Sequence, residues 1–314
     1  MTVRDIDVVC IGLATQDTIA LVSEHPSADG RVPALDLRRA GGGPAATAAV
    51  ALARLGHRVA FVGAVGDEPL GEGIRASLAG EGVDVGELTM VAGARSPESL
   101  IVAATASASR SISAYPGTAG PPRLSPAAVA RCATARWVHV DHVGYAVART
   151  LPPVAAGGSA TVRLSVDGGN PITGLRLDGV SLYAPTEEAL TSRYGGLPLN
   201  AALRAALKEG AGAVVATLGM HGARGVTPDA GPFTVAGYAA ALTSTLGAGD
   251  VFHGALLAGL LEDRSLEESM RRANVAAGLS CRGLDGRSAI PTRAELDEAC
   301  AALLEGPALH RTPA

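Results

Sequence analysis

Short apolar runs alternate along the chain with longer, alanine-rich segments whose apolar residues recur at helical spacing. Most runs are continuously apolar, which is typical of strands covered on both faces. They lie at residues 7–13, 58–65, 137–140, 161–167, 180–184 and 212–218. Helices are predicted at residues 44–55, 70–80, 126–132 and 200–209, and three more close the chain at 248–262, 266–282 and 293–305. This alternation predicts an α/β fold in which a doubly wound, mostly parallel sheet lies between two layers of helices (an αβα sandwich).

Two segments, residues 14–40 and 97–118, depart from this pattern. They hold short, more polar strand-like stretches between turn residues, which indicates hairpins outside the central sheet. We expect them to form a small β-sheet lid over the carboxyl edge of the main sheet, since such lids close on substrate. No internal repeat or low-complexity linker is visible, so a single domain over residues 1–314 is predicted.

The composition and net charge of the chain limit the kinds of molecule that it is expected to bind. The 314 residues are 47% hydrophobic and 18% charged, which supports a sizeable buried core and excludes a disordered chain. The net charge is −4 and no basic tract exists, so we expect neither nucleic acid nor a membrane surface as partner. The apolar runs are far shorter than the roughly 20 residues that span a bilayer. With Asp5 and Asp7 where a signal peptide has cations, a cytoplasmic protein is predicted.

Lysine and cysteine usage excludes several chemistries. Lys208 is the only lysine and lies in a predicted amphipathic helix, which leaves no Gly-Lys-Ser/Thr phosphate loop and no well-placed Schiff-base lysine. The four cysteines are far apart and form no pair at metal-ligand spacing. Buried free thiols are therefore expected, rather than disulfides or a structural zinc site.

The strongest chemical signal is the segment TLGAGDVFHGALLAGL at residues 245–260. Gly247 and Gly249 let the backbone turn tightly, and the apolar run after Asp250 predicts a buried helix. The free N–H groups at the start of a helix can bind an anion. A carboxylate in the first turn is often a simple helix cap. Beside a glycine-rich anion site it is also placed as a base, and phosphoryl transfer to a hydroxyl needs both features.

A second signal is GGGPAATAAVALARLG at residues 41–56. Pro44 suits the first position of a helix and Gly56 suits its end. The first two turns carry only small side chains, so a ligand or another backbone can approach closely. A helix packed tightly on a sheet needs small residues too, and this segment alone decides nothing.

Together these segments resemble the ribokinase/pfkB family of carbohydrate kinases. The residues of the two motifs are most similar to those of members related to sulfofructose kinase. The resemblance covers nearly the whole chain and includes residues 12–17, 63–67, 217–222 and Asn274. It implies a ribokinase-like fold with a small β-sheet lid. It also implies an enzyme that transfers a phosphoryl group from ATP, with Mg²⁺, to the hydroxymethyl group of a sugar or sugar derivative.

The resemblance implies a role for each matching residue. It makes Asp250 the base that takes the proton of the acceptor hydroxyl, next to an anion hole formed by Gly247, Ala248 and Gly249. The residues that match the family's substrate site are Asp17, Gly42 and Gly43, and those that match its nucleotide site are Thr217, Gly219, Gly222 and Asn274. The resemblance implies that Glu187 or Glu188 organises the water ligands of Mg²⁺. An alternative explains both glutamates equally well: acidic residues are favoured at the exposed start of a helix.

Three positions depart from the family pattern. Ala46 stands where members usually have asparagine, which removes one polar contact to the substrate. Ser244 stands where an aspartate commonly precedes the Gly-Ala-Gly-Asp motif, and this leaves activation by a monovalent cation open. Pro185 and Thr186 stand where an asparagine helps to organise magnesium, so the register of that segment stays open too.

Two arginines in the lid segments could bind an anionic group at the end of the substrate remote from the reacting hydroxyl. Arg31 and Arg110 could each meet a phosphate or sulfonate, and solvated hairpin charges are the simpler interpretation. After Trp137 the chain has no arginine until Arg149, so sulfofructose itself is not expected. His139 and His142 show no metal-site spacing, and His253 is expected to pack beside the anion hole rather than to move protons.

Two alternatives to a sugar kinase remain. A nucleoside kinase of the same family is disfavoured because aromatic residues are only 3% of the chain and Tyr115 is the only one in the lid segments. A non-catalytic sugar or nucleotide sensor is disfavoured because such a protein needs no base at Asp250. The apolar lid strand at residues 101–103 is also expected to pair with a second subunit, giving a homodimer through the lid.

Overall fold

Thirteen strands are present among the residues that the computed structural model describes, which are 6–107, 109–152 and 162–305. In chain order they are β1 (Val8–Ile11), β2 (Thr15–Val22), β3 (Ala34–Gly42), β4 (Val59–Gly66), β5 (Asp84–Val91), β6 (Glu98–Ala104), β7 (Ser109–Tyr115), β8 (Trp137–Val140), β9 (Arg163–Gly168), β10 (Leu182–Pro185), β11 (Val214–Thr217), β12 (Ala223–Thr227) and β13 (Ala230–Val235). Nine of these described strands form one sheet in the order β13-β12-β11-β10-β9-β8-β1-β4-β5. The pairs from β11 to β5 are parallel and the β11–β12–β13 edge is antiparallel, which confirms the mostly parallel sheet.

Helices cover both faces of this sheet. They are α1 (Pro44–Arg54), α2 (Pro69–Gly80), α3 (Pro126–Thr134), α4 (Tyr145–Ala148), α5 (Glu187–Arg193), α6 (Leu199–Glu209), α7 (Ala248–Leu261), α8 (Leu266–Ser280) and α9 (Arg293–Glu305). Side chains of β1 alternate between the two cores, since Val8 and Cys10 pack with α1, α7 and α8 while Val9 and Ile11 pack with α3, α4 and α6. This is the αβα sandwich that the sequence predicts.

A second, small sheet has the order β3-β2-β6-β7. Strands β2 and β3 pair antiparallel, β2 and β6 parallel, and β6 and β7 antiparallel. Its inner face packs Ile19 and Ile101 against Leu246, immediately before α7. Arg110 on β7 also reaches this point, where its Nη1 donates a hydrogen bond to Thr245 Oγ1 at 2.7 Å. The small sheet therefore lies against the loop that leads into α7.

The observed elements differ from the predicted ones mainly at strand limits and sheet edges. The strand predicted at residues 161–167 is β9, at 163–168, and residue 161 lies outside the described residues. Strand β5 has no continuous apolar run, because it is an edge strand in which only one of eight side chains is fully buried. Strand β13, at the opposite edge, also has a single buried side chain and lacks such a run. In the part of the chain that the structure describes, no helix is both long and apolar enough to span a membrane.

Candidate active site

The first turn of α7 places Asp250 at the carboxyl edge of the main sheet. Gly247 precedes the helix with φ +72°, a left-handed conformation that glycine adopts without strain. A Cβ on this glycine would also lie only 2.7 Å from Cα of Gly286, so the turn cannot accommodate a side chain. The N–H groups of this first turn have no acceptor within the helix and carry a partial positive charge. The first turn of α7 thus offers backbone N–H groups that can bind an anion, at Ala248 and Gly249, next to the carboxylate of Asp250.

Asp250 is placed to accept a proton at neutral pH. Burial and the charge of Asp167 raise the pKa of Asp250 to about 7, against the opposing influence of His253 and Arg287. A carboxyl group with a pKa near 7 is a much stronger proton acceptor than a solvated one while still being ionised in part.

Asp17 faces the same region from β2. Its carboxylate is buried and accepts a hydrogen bond from Thr15 Oγ1 at 2.8 Å. Gly42 lies beside it on β3, and a Cβ there would be 2.1 Å from Oδ2 of Asp17. Burial raises the pKa of Asp17, and hydrogen bonds from Thr15 and Ser99 oppose this. Gly43, with φ +91°, then turns the chain into α1. Of the two glycines predicted for the substrate site, Gly42 thus makes room for the carboxylate, while Gly43 makes room for the carbonyl of Leu13.

Arg287 is a site residue that sequence reasoning missed. Its guanidinium is buried behind β3, where Nη2 donates to the carbonyl of Gly42 at 2.6 Å and Nε donates to Thr47 Oγ1 at 3.2 Å. Burial lowers its pKa to about 10, and the carboxylates of Asp17 and Asp250 act in the opposite direction, so the side chain stays charged. It supplies positive charge near both aspartates. The only sequence signal is an arginine within the glycine-rich segment 283–288.

Asp141, just after β8, was also not predicted as a site residue. Its buried carboxylate accepts four backbone N–H bonds, from Leu13 at 2.8 Å, Ala45 at 3.2 Å, Val143 at 2.9 Å and Gly144 at 3.0 Å. These donors belong to the end of β1, the start of α1 and the turn after β8. One side chain therefore joins the three segments that form the floor of the site.

His253 lies one turn after Asp250 and packs beneath it. Its Nδ1 is 3.0 Å from Oδ2 of Asp167, at the end of β9, and both side chains are buried. His139 on β8 lies next to it, with ring centroids 5.9 Å apart, and its Nδ1 is 3.1 Å from Ser165 Oγ. Asp167 was not singled out from the sequence, because no motif surrounds it.

The residues assigned to the nucleotide side lie further along the same sheet edge. Thr217 ends β11, and a short 3₁₀ turn at Gly219–His221 follows it. Gly222 has φ +91°, and a Cβ there would lie 2.1 Å from the carbonyl of Val235. Asn274 on α8 reaches the same carbonyl, since its Nδ2 donates to Val235 O at 3.1 Å and to Ala236 O at 2.9 Å. Gly222 and Asn274 therefore meet at the end of β13.

The other assigned residues are exposed. Glu187 and Glu188 occupy the first turn of α5, and Thr186, which caps that helix, bridges to Thr217. Arg31 lies in the connection between β2 and β3, and within the described part of the chain the structure gives it no hydrogen bond or ion pair. The arginine that contacts the α7 loop is Arg110.

Comparisons with known proteins agree with this architecture. A model of the pfkB family of carbohydrate kinases matches residues 5–156 and 176–293. The ribokinase of Haemophilus influenzae is 27% identical over 265 residues, which cover 81% of this chain and 85% of that protein. Mouse (Mus musculus) ketohexokinase is 25% identical, with 89% and 98% covered. Arabidopsis thaliana ribokinase, solved with ribose and ATP, has a TM-score of 0.82 at 24% identity, with 94% and 98% covered. The likeness in fold confirms the ribokinase-like architecture predicted from the sequence.

Proposed function

The chain belongs to the pfkB family of carbohydrate kinases, and from this premise we propose that it transfers the γ-phosphoryl group of ATP to a hydroxymethyl group of a sugar or sugar derivative bound between Asp17 and Asp250. The observation that carries the proposal is the half-buried Asp250 carboxyl in the first turn of α7, where its surroundings raise its pKa to about 7.

The reaction follows from where the charges lie. Asp17 accepts hydrogen bonds from sugar hydroxyls, because a carboxylate has only acceptors to offer. Asp250 takes the proton of the attacking hydroxyl as the oxygen bonds to phosphorus. The N–H groups at the start of α7 stabilise the negative charge of the transferring group, which is the larger contribution in phosphoryl transfer. The small sheet, packed against the α7 loop, shields the reacting groups from water.

Mg²⁺ is part of the same proposal. The described residues hold no cluster of three or more carboxylate, histidine or cysteine side chains that could bind a metal by itself. Mg²⁺ in phosphoryl-transfer enzymes is commonly bound through one or two carboxylates together with substrate phosphates and water. Glu187 and Glu188 are exposed at the carboxyl end of β10, next to Thr217, and would hold its water ligands. When bound, Mg²⁺ neutralises charge on the β- and γ-phosphates.

A sugar acceptor is favoured over a nucleoside by the small sheet. Tyr115 is the only aromatic residue in its four strands, and Arg95 stacks on that ring at 5.0 Å. Tyr115 is itself exposed at the end of β7. A nucleobase is commonly held by stacking on an aromatic ring, and the four strands that the structure describes in this sheet place no such ring beside Asp17.

The experiment that tests the proposal measures ATP consumption against ketoses, aldoses, acidic sugars, sugar phosphates and nucleosides. We expect turnover with one class of sugar. In Asp17→Asn the KM for that sugar should rise about tenfold or more, with the KM for ATP unchanged, since a charge-assisted hydrogen bond contributes about 1.5–3 kcal/mol. If a nucleoside were turned over in preference to every sugar, the protein would be a nucleoside kinase and not a sugar kinase. Nucleotide binding without any turnover would favour a sensor.

A homodimer through the small sheet is proposed as well. Residues 101–103 cannot pair with a second subunit as expected from the sequence, because β6 lies between β2 and β7 and both of its edges are occupied. The proposal rests instead on the outer face of the sheet, where Leu37 of β3 and Leu100 of β6 are 65% and 59% exposed. Sedimentation at tens of micromolar should give a dimer, and Leu37→Glu with Leu100→Glu should give a monomer. A wild-type monomer at that concentration would contradict the proposal.

A further inference from the structure

A buried ion pair lies directly beneath the proposed base. Asp167 and His253 are 4% and 5% exposed, and their Oδ2 and Nδ1 atoms are 3.0 Å apart. His253 belongs to α7, one turn after Asp250, while Asp167 ends β9 and also accepts the N–H of Gly169 at 2.7 Å. The pair thus links the helix that carries the base to the main sheet.

The surroundings of the pair favour the charged form of both members. Burial disfavours the protonated ring, but the carboxylate of Asp167 outweighs it, with Asp250 and the backbone of Ala184 acting in the same direction, and the pKa of His253 lies above its usual value. Burial alone would raise the pKa of Asp167, and His253 holds it below its usual value instead. In their charged forms the two side chains together add no net charge under Asp250.

The other titratable groups near Asp250 cannot offset the charge of Asp167 in place of His253. Asp141, from the end of β8, disfavours the ionised base, and Arg287, from the loop before α9, favours it. His139 on β8 faces His253 rather than Asp250, and burial lowers its pKa to about 3, so it is neutral. Without the imidazolium of His253, Asp250 would lie near two buried carboxylates, Asp167 and Asp141, with only Arg287 to offset them.

We propose that Asp167 and His253 form a positioning pair whose imidazolium cancels the charge of Asp167, so that Asp250 can ionise and accept a proton at neutral pH. The inference rests on the proposed function, because it assumes that Asp250 is the base. Neither residue of the pair touches the substrate in this scheme. They act through Asp250.

The test is a double-substitution cycle read out as a pH profile. The profile of kcat/KM for the sugar, at saturating ATP and Mg²⁺, should fall as the pH drops through about 7, where wild-type Asp250 becomes protonated. In His253→Asn, Asp167 is left as an unbalanced charge, and the acidic limb should move up by about one pH unit. At pH 6 the rate of the variant should then be roughly 100-fold below its own plateau, against roughly tenfold for the wild type.

The position of the acidic limb in two further variants, Asp167→Asn and the double variant, distinguishes charge balance from a structural role. In Asp167→Asn the ring loses its counter-ion and becomes neutral, so both charges disappear and the limb should stay near its wild-type position. Asp167→Asn combined with His253→Asn should bring the limb back from the His253→Asn position. His139→Asn replaces a neutral buried histidine and is the matched control, with no shift expected. A purely structural role would instead lower activity equally at every pH, with no restoration in the double variant, and would overturn the proposal.

A readout independent of turnover separates this inference from the proposed function. The ¹³C carboxyl signal of Asp250, identified by its loss in Asp250→Asn, should titrate at higher pH in His253→Asn than in the wild type. The ring of His253 should be charged at pH 7 in the wild type and neutral in Asp167→Asn. An unshifted Asp250 signal or a neutral wild-type ring would overturn the proposal. Absence of turnover on every acceptor, with the NMR shifts present, would count against the proposed function alone.

Discussion

Asp250→Asn is expected to lower kcat by about 10²–10⁴-fold, since an asparagine cannot take the proton of the acceptor hydroxyl. The effect should appear in kcat rather than in binding, because the anion site is made of backbone N–H groups that the substitution leaves in place. The KM values for sugar and ATP should change little. Stability should not fall, because burial makes the neutral form of this side chain the easier one to accommodate. Steady-state kinetics and thermal denaturation of the purified variant measure all three quantities.

The matched control for this prediction is Asp229→Asn, which makes the same chemical change in the exposed turn between β12 and β13. Its kcat should equal that of the wild type. If Asp250→Asn retained more than about a tenth of wild-type kcat, Asp250 would not be the general base.

Asp141→Ala is expected to destabilise the protein by about 3–5 kcal/mol, because it leaves buried N–H groups at four positions without their acceptor. Urea unfolding monitored by the fluorescence of Trp137, the single tryptophan, measures the change in the free energy of unfolding. The loss should be large because the four donors come from three separate segments, and each segment loses its attachment to the others.

Asp141→Asn serves as the graded comparison. The amide keeps one acceptor oxygen but presents an NH₂ group to the remaining N–H donors, so its loss of stability should be substantial and smaller than that of the alanine variant. A change below about 1 kcal/mol in Asp141→Ala would mean that water replaces the carboxylate at little cost, and that Asp141 does not hold the floor of the site together.

The starts of α1 and α7 could be predicted because their determinants are local. Glycines, Pro44 and a run of small or apolar residues stand next to one another in the sequence and specify a turn followed by a buried helix. The same is true of the apolar strands of the main sheet, which periodicity finds without any knowledge of their neighbours. These local signals were sufficient to predict the turns and helix starts next to Asp250 and Gly42, while the roles of both residues came from the resemblance to the family.

The supporting residues could not be predicted, because their partners are distant in sequence. Arg287 contacts Thr47 across 240 positions, and Asp141 accepts from Leu13 across 128. Nothing beside Asp167 in the chain indicates that His253 lies on it. Such pairs follow from the order of strands in the sheet, and a single sequence carries no pattern that fixes this order. Sequence reasoning expected His253 to pack beside the anion hole, and the structure places it there with a charged partner.

The close fit of Gly42 against Asp17, and of Gly247 against Gly286, has a consequence for changing what this protein accepts. A side chain at Gly42 would collide with the carboxylate of Asp17, and one at Gly247 would collide with the backbone of Gly286, so neither position can be varied to change the shape of the pocket floor. The side chains of β3 and β7 in the small sheet are mostly exposed, so substitutions there meet no such restriction. Altered acceptor preference should therefore arise first in libraries that vary this sheet, while the glycine-lined floor tolerates almost no variation.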